Sequence, residues 1–294
     1  MNIGVIGGGA IGLLVSSYLS TFHDVTVYVY REAQKKLLKD KGVTRLKHSE
    51  KDAKIHVKAK LYTELKEEDI YFVCVKQYQI EQLVPLLKQI HQPIIFLQNG
   101  MGHLKYMKKL QADTYVGVVE HGAKRMDDTV VNHLGEGVIR IAAFNGNNEM
   151  LTEIISSLHR DEFPILVETD YEKILKNKLI VNAVINPLTA IFNVPNGKVV
   201  TNDYIQSLAR SLCREAAEVL QLNEEDAWEK IVETANNTRD NTSSMRADIL
   251  QRRKTEIEAI SGYLLEQKND LPYTTFVYNS VLALEKEGTV PDEH

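Results

Sequence analysis

Apolar positions along this chain follow two different periods. Up to about residue 168, short β-branched and aromatic runs alternate with longer amphipathic ones, which is the pattern of strands and helices in an α/β protein. The runs 2–6 (NIGVI), 25–29 (VTVYV), 70–75 (IYFVCV) and 93–97 (PIIFL) have the length and near-continuous hydrophobicity of buried parallel strands, with a helical stretch at 79–90 between the last two. Shorter alternating runs at 114–121, 129–134 and 137–142 predict strands that extend the sheet antiparallel. A helix at 149–160 and a strand at 163–167 close this part of the chain, while 48–54 (HSEKDAK) reads as a solvated connection.

From Glu168-Thr169-Asp170 onward the period is helical almost throughout. The spacing predicts helices over 170–192, 203–221, 224–239, 243–252, 255–268 and 275–287. Thr169-x-x-Glu172 and Thr255-x-x-Glu258 have the form of capping boxes, and Ser244 that of an N-cap. Pro187 removes one helical hydrogen bond at a cost of about 3 kcal/mol, so a kink or short break is expected there. Val194-Pro195-Asn196-Gly197 has turn chemistry. The change of period places a domain boundary between 168 and 169.

The first of these helices carries an anomaly. Lys178, Asn182 and Asn186 are four residues apart in an otherwise apolar stretch. At about 100° per residue each step drifts by roughly 40°, so the three share one narrow sector of the helix. Asparagine is a poor helix former because its amide competes for backbone hydrogen bonds. A solvated stripe and a polar wall facing a ligand both fit this spacing.

Composition narrows the function classes. The chain has 294 residues, which suits two domains, and its 44% hydrophobic and 26% charged residues are an ordinary globular balance. A net charge of −5 disfavours nucleic acid and anionic membrane as partners. No apolar run reaches the roughly 20 residues of a membrane span, and the N-terminal MNIGVIGG lacks the basic region of a signal peptide. Cys74 and Cys213 are the only cysteines, both among apolar residues, and are expected as free buried thiols in a reducing cytoplasm. No Cys/His cluster suggests a metal. His121 and His133 lack any partner pattern and are read as sheet histidines.

The strongest local motif is Gly7-x-Gly9-x-x-Gly12, set between the first strand and the helical pattern LLVSSYL. Gly7 would allow the tight turn, Gly9 the close approach of a pyrophosphate, and Gly12 the packing of helix on strand; the free N–H groups of the helix start would face the phosphates. The second strand is followed by Arg31 and has no acid inside it, which favours a 2′-phosphate and hence NADP. Glu32 beside it could instead reach a ribose hydroxyl or neutralise Arg31. Lys76 and Asn99 follow two further strands, where ligands of open α/β sheets bind; a loop lysine and a turn former are the plainer readings. Glu256 by itself reads as an acid in the first turn of a helix.

With GGGAIG at 7–12, VKQYQ at 75–79, LQNGMG at 97–102, KLIVNAVINPLTAIFNVPNG at 178–197, and SSM and TEI within 243–257, the chain resembles the ketopantoate (2-dehydropantoate 2-) reductases along essentially its whole length. The resemblance implies a Rossmann-like NADP-binding domain over 1–168 and an all-helical domain over 169–294, with the active site in the cleft between them. It implies NADPH-dependent reduction of 2-dehydropantoate to (R)-pantoate in the cytoplasm, a step of pantothenate formation. Lys178 would be the general acid and Glu256 would lie beside the reacting groups. Asn99, Asn182, Asn186 and Ser244 would bind substrate. Gly7, Gly8, Gly9, Ala10, Ile11, Gly12, Arg31, Lys76, Asn99 and Glu256 would contact cofactor. A reductase of another small 2-oxo acid is the alternative within this architecture, and an NADP-sensing protein without activity is the alternative outside it. An apolar helix face could be core or the interface of a homodimer.

Overall fold

The computed structural model describes residues 1–47, 50–51 and 54–288. Its contacts divide the chain into two compact units. The first comprises Met1–Gln98 with His103–Ile174, and the second comprises Asn99–Gly102 with the chain from Leu175 onward.

The first unit is α/β. In chain order it contains β1 (Asn2–Ile6), α1 (Ala10–Leu19), β2 (Asp24–Val29), α2 (Glu32–Lys41), β3 (Thr44–Lys47), β4 (Glu50–Lys51), β5 (Lys58–Leu61), β6 (Ile70–Val73), α3 (Gln77–Leu87) and β7 (Ile94–Phe96). It continues with α4 (Leu104–Met107), β8 (Thr114–Val119), β9 (Gly122–Arg125), β10 (Val130–Gly135), β11 (Ile139–Ala143), α5 (Asn148–Leu158) and β12 (Ile165–Glu168). Eight strands form the main sheet in the order β12-β11-β8-β7-β6-β1-β2-β5. All its pairs are parallel except β8 with β11. In β1 the residues Ile3, Val5 and Ile6 are buried, and all four residues of β6 are, as expected of strands covered on both faces.

The chain leaves β1 toward β2 on one side and later returns with β6 on the other. That reversal of strand order is the switch point at which open α/β sheets bind ligands. Because β1, β2 and β6 are parallel, the residues that follow them emerge at one edge of the sheet.

The antiparallel extension holds for β8 and β11 but not for the run at 129–134. There β10 joins a separate sheet of order β4-β3-β10-β9, pairing parallel with β3 and antiparallel with β9. Alternation sets which face of a strand is buried, not which sheet the strand joins. Of the stretch 48–54, residues 48–49 and 52–53 lie outside the described residues, and Glu50–Lys51 form the short strand β4.

Helices make up the rest: α6 (Tyr171–Phe192), α7 (Lys198–Thr201), α8 (Asp203–Leu220), α9 (Glu224–Asn237), α10 (Ser244–Leu250), a π-helical turn at Glu258–Gly262, α11 (Tyr263–Gln267) and α12 (Pro272–Gly288). Several of their starts differ from expectation. The cap of α6 is Asp170, whose carboxylate accepts from the Lys173 N–H at 3.0 Å, so the Thr169 box does not form. Ser243 rather than Ser244 caps α10, accepting from the Arg246 N–H at 3.1 Å. Thr255 accepts from the Ile257 N–H at 3.1 Å, while its own N–H goes to Glu285 at 2.7 Å and Glu258 pairs with Lys254; no reciprocal box exists.

Helix α6 also runs without a break through Pro187. It ends at Asn193, which takes the left-handed conformation at φ 52° and accepts from Arg246 Nε at 2.9 Å.

Candidate functional site

At the end of β1 the backbone turns at Gly7, whose φ of +119° suits glycine, with its N–H bonded to the Tyr28 carbonyl at 2.8 Å. An added Cβ at Gly12 would lie 1.8 Å from the Gly7 oxygen, so only glycine permits this approach of α1 to the turn. At Gly9 the same construction meets nothing within 4 Å. No side chain caps α1, whose first residues Ala10 and Ile11 are half-buried. This open space before uncapped helix N–H groups is what a pyrophosphate requires, so the loop fits a dinucleotide.

Gln34 also belongs to this corner and was not anticipated. Its buried side chain donates from Nε2 to the Gly8 carbonyl at 2.8 Å, locking the loop from α2. A signal existed: Gln34 lies one turn before the buried Leu38, on the apolar stripe of an otherwise charged helix.

Arg31 follows β2 by two residues, precedes the first residue of α2, and is salt-bridged to Asp128. Glu32 does not neutralise it; Glu32 pairs with Lys35 at 3.1 Å, and Lys35 also holds Glu64 at 3.0 Å. Lys76 follows β6 at the start of α3, its N–H bonded to the Gln79 side chain at 3.2 Å. Beside it the Cys74 thiol is free, and burial pushes its pKa up, so it stays protonated and unreactive. Cys213 is also free and is buried, whereas Cys74 is only half-buried.

The remaining candidates lie in the second unit. Lys178, Asn182 and Asn186 follow one another at single-turn intervals on α6. Lys178 is half-buried, while Asn182 and Asn186 are only 7% and 6% exposed. Among the described residues neither asparagine side chain has a hydrogen-bond partner, although Thr189, one turn further, bonds Ser243 Oγ at 2.7 Å. Neither amide is sealed off, since their polar atoms are not among the fully buried unsatisfied ones, so each keeps a small opening through which a partner can reach it. A solvated stripe would not produce this burial; amides kept for a ligand would. Ser244, next to the capping Ser243, is exposed at the start of α10.

Asn99 and Glu256 meet directly, Asn99 Nδ2 donating to Glu256 Oε2 at 2.8 Å. Gly100 makes the meeting possible. Its φ is +79°, and a Cβ there would lie 2.1 Å from the Ala259 carbonyl, so the Asn99–Gly102 turn packs flush on the helix start that presents Glu256. Glu256 is therefore more than a first-turn acid.

His133 lies in β10, whereas His121 lies between β8 and β9. They form a buried chain: Tyr18 Oη is 2.8 Å from His133 Nδ1, and His133 Nε2 is 3.1 Å from His121 Nδ1. The Gly137 N–H donates to the same His121 Nδ1 at 3.1 Å, making that nitrogen the acceptor. Burial holds both imidazoles below their ordinary pKa, His121 at about 4. These histidines are neutral struts. No group of three or more potential metal-ligating side chains occurs among the described residues.

A doubly wound sheet with an open glycine loop at its switch point, followed by a helical unit with a half-buried lysine in row with two buried amides, defines a dinucleotide-dependent enzyme of the Rossmann type. Family models place it further: residues 3–146 match ketopantoate reductase PanE/ApbA, and residues 170–285 match its C-terminal domain. The 2-dehydropantoate 2-reductase of Bacillus subtilis is 39% identical over 295 residues, covering 97% of this chain and 98% of that protein. The crystal structure of the probable 2-dehydropantoate 2-reductase of Bacillus subtilis covers 97% of this chain and 100% of its own, with a TM-score of 0.88. D-mandelate dehydrogenase with NADH and anilino(oxo)acetate shares the fold at a TM-score of 0.91 and 19% identity, covering 99% of this chain and 100% of its own. The chain belongs to the ketopantoate reductase family, and with it to the oxidoreductases that use a nicotinamide dinucleotide.

Proposed function

We propose that this protein reduces 2-dehydropantoate to (R)-pantoate with NADPH, in the cytoplasm, as a step of pantothenate formation. In this reading residues 1–168 form the cofactor domain and residues 169–294 the substrate domain. The observation that carries the reading is the pair of buried, unpartnered amides on α6, one and two turns after Lys178, in a chain of this family.

When bound, NADPH supplies a hydride to C2 of the ketone. Lys178 gives its ammonium proton to the ketone oxygen as negative charge develops there, and is reprotonated from solvent. Asn182 and Asn186 hold the substrate's hydroxyl and carboxylate oxygens without adding charge, each offering two donors and an acceptor. Ser244 adds a hydroxyl at the start of α10. Glu256, fixed by Asn99, favours the charged form of the lysine and orients it. Gly7 to Gly12 hold the pyrophosphate, Lys76 contacts the cofactor after β6, and Arg31 binds the 2′-phosphate. The absence of an acid at the C-terminal end of β2, whose one carboxylate, Asp24, stands at its opposite end, and the pairing of Glu32 with Lys35 support NADP over NAD.

A panel of 2-oxo acids compared by kcat/KM with NADPH tests the substrate. Ketopantoate should lead analogues lacking its hydroxyl by at least about a hundredfold, because a site built for that hydroxyl leaves buried amides unpaired without it. Equal or better turnover of a simple 2-oxo acid would assign the other reductase reading.

A further inference from the structure

The loop joining β9 to β10 brings one carboxylate to two arginines. Asp128 is salt-bridged to Arg31, and its Oδ1 lies 3.6 Å from Arg125 Nη1. The Asp128 side chain is mostly buried, at 19% exposed, whereas Arg31 and Arg125 keep 50% and 36% of their side chains open to solvent. Gln34 sets the position of this loop relative to the glycine turn. Its Nε2 donates both to the Gly8 carbonyl at 2.8 Å and to the Asp128 carbonyl at 3.1 Å. The loop is closed on itself by Asp127, which accepts from the N–H groups of Thr129 at 2.6 Å and Val130 at 2.7 Å. Lys35, also on α2, is committed to Glu32 and Glu64.

Two guanidinium groups converging on one anion beside a glycine loop have the donor set of a phosphate site. The geometry points to a two-arginine subsite for the 2′-phosphate of an NADP-type dinucleotide, formed by Arg31 and Arg125 and closed by Asp128 when no phosphate is present. This rests on the dinucleotide reading of the first unit and adds Arg125 and Asp128 to it. A phosphate monoester carries about −1.5 to −2 charge and three acceptor oxygens, against a single charge on Asp128. It displaces the carboxylate from both arginines. A dinucleotide without the 2′-phosphate has nothing to exchange and leaves the Arg31–Asp128–Arg125 cluster intact. Asp128 thus lowers the apparent affinity for NADP by the fraction of time it occupies the arginines, and selectivity is set by an exchange of anions.

Calorimetric titration of the full chain with adenosine 2′,5′-bisphosphate and with AMP isolates the subsite from the reaction. Asp128→Asn should strengthen bisphosphate binding about threefold to fivefold, the scale of a partly exposed ion pair, and leave AMP within about twofold. Arg125→Gln should lower the bisphosphate-to-AMP affinity ratio about tenfold, and Arg125→Lys by less, since it keeps the charge but not the planar fork. AMP binding reports that each variant is folded. A ratio unmoved by Arg125→Gln, or weaker bisphosphate binding in Asp128→Asn, would overturn the subsite. A wild-type chain with no preference for the bisphosphate overturns it too, while leaving a reductase that uses NADH. Preference for the bisphosphate without ketopantoate reduction would sink the substrate proposal and leave the subsite standing.

Discussion

Lys178, Asn182 and Asn186 act through their spacing, and each can be tested alone. Removing a positioned proton donor costs about a hundred- to ten-thousand-fold. Lys178→Ala should therefore lose that much kcat while NADPH binding, measured by fluorescence titration, stays within about threefold. Near wild-type turnover in that variant would reject the lysine as the acid. The three-residue row was visible in the sequence because a helix converts spacing into a common face. The bond between Asn99 and Glu256 was not, since 157 residues separate them and each has an ordinary local role, turn former and first-turn acid. A second prediction at this scale concerns protons. His103 and His121 are held at a pKa of about 4 by burial, and His133 is lowered too. Their folded pKa values lie below the unfolded value of about 6.5, so the unfolded chain binds more protons below that pH. Stability is full above about pH 6.5 and falls as pH drops toward 4. The loss should be on the order of 2 kcal/mol per imidazole for His103 and His121 by pH 5, read as a lower urea midpoint than at pH 7. An unchanged midpoint would contradict the neutral assignment.

Elements fix where these side chains stand, and capping separates structural from functional roles at adjacent serines. Ser243 accepts from the Arg246 N–H and bonds Thr189, whereas Ser244 is exposed beside it. Ser243→Ala should lose about 1 kcal/mol of stability. Ser244→Ala should change stability by less than about 0.5 kcal/mol and instead raise the KM for ketopantoate. The opposite pattern in thermal melts and kinetics would reverse the two assignments. Helix starts were misplaced by one residue wherever several cap-competent residues stand in a row, as in Thr169-Asp170 and Ser243-Ser244, because the choice depends on which backbone N–H each side chain reaches. The long parallel strands and the glycine turn were legible from their hydrophobicity and position. Strands β3, β5 and β9 were not, since TRLK, KAKL and GAKR are short and rich in charge, and only pairing partners make them strands.

At the scale of the whole molecule, α/β sheet and helical region were both legible in the change of period near residue 168. The family match over 3–146 and 170–285 covers the same two regions. What pattern alone left open was which face of α6 matters, and burial of Asn182 and Asn186 without protein partners narrows that. No described helix is long and apolar enough to cross a membrane. The central claim is the reaction, and its most direct test is steady-state oxidation of NADPH by the purified chain in the presence of ketopantoate, with the product identified by mass. The account predicts loss of NADPH absorbance matched mole for mole by pantoate. Oxidation no faster than the background without ketopantoate, under conditions where NADPH binds, would contradict it.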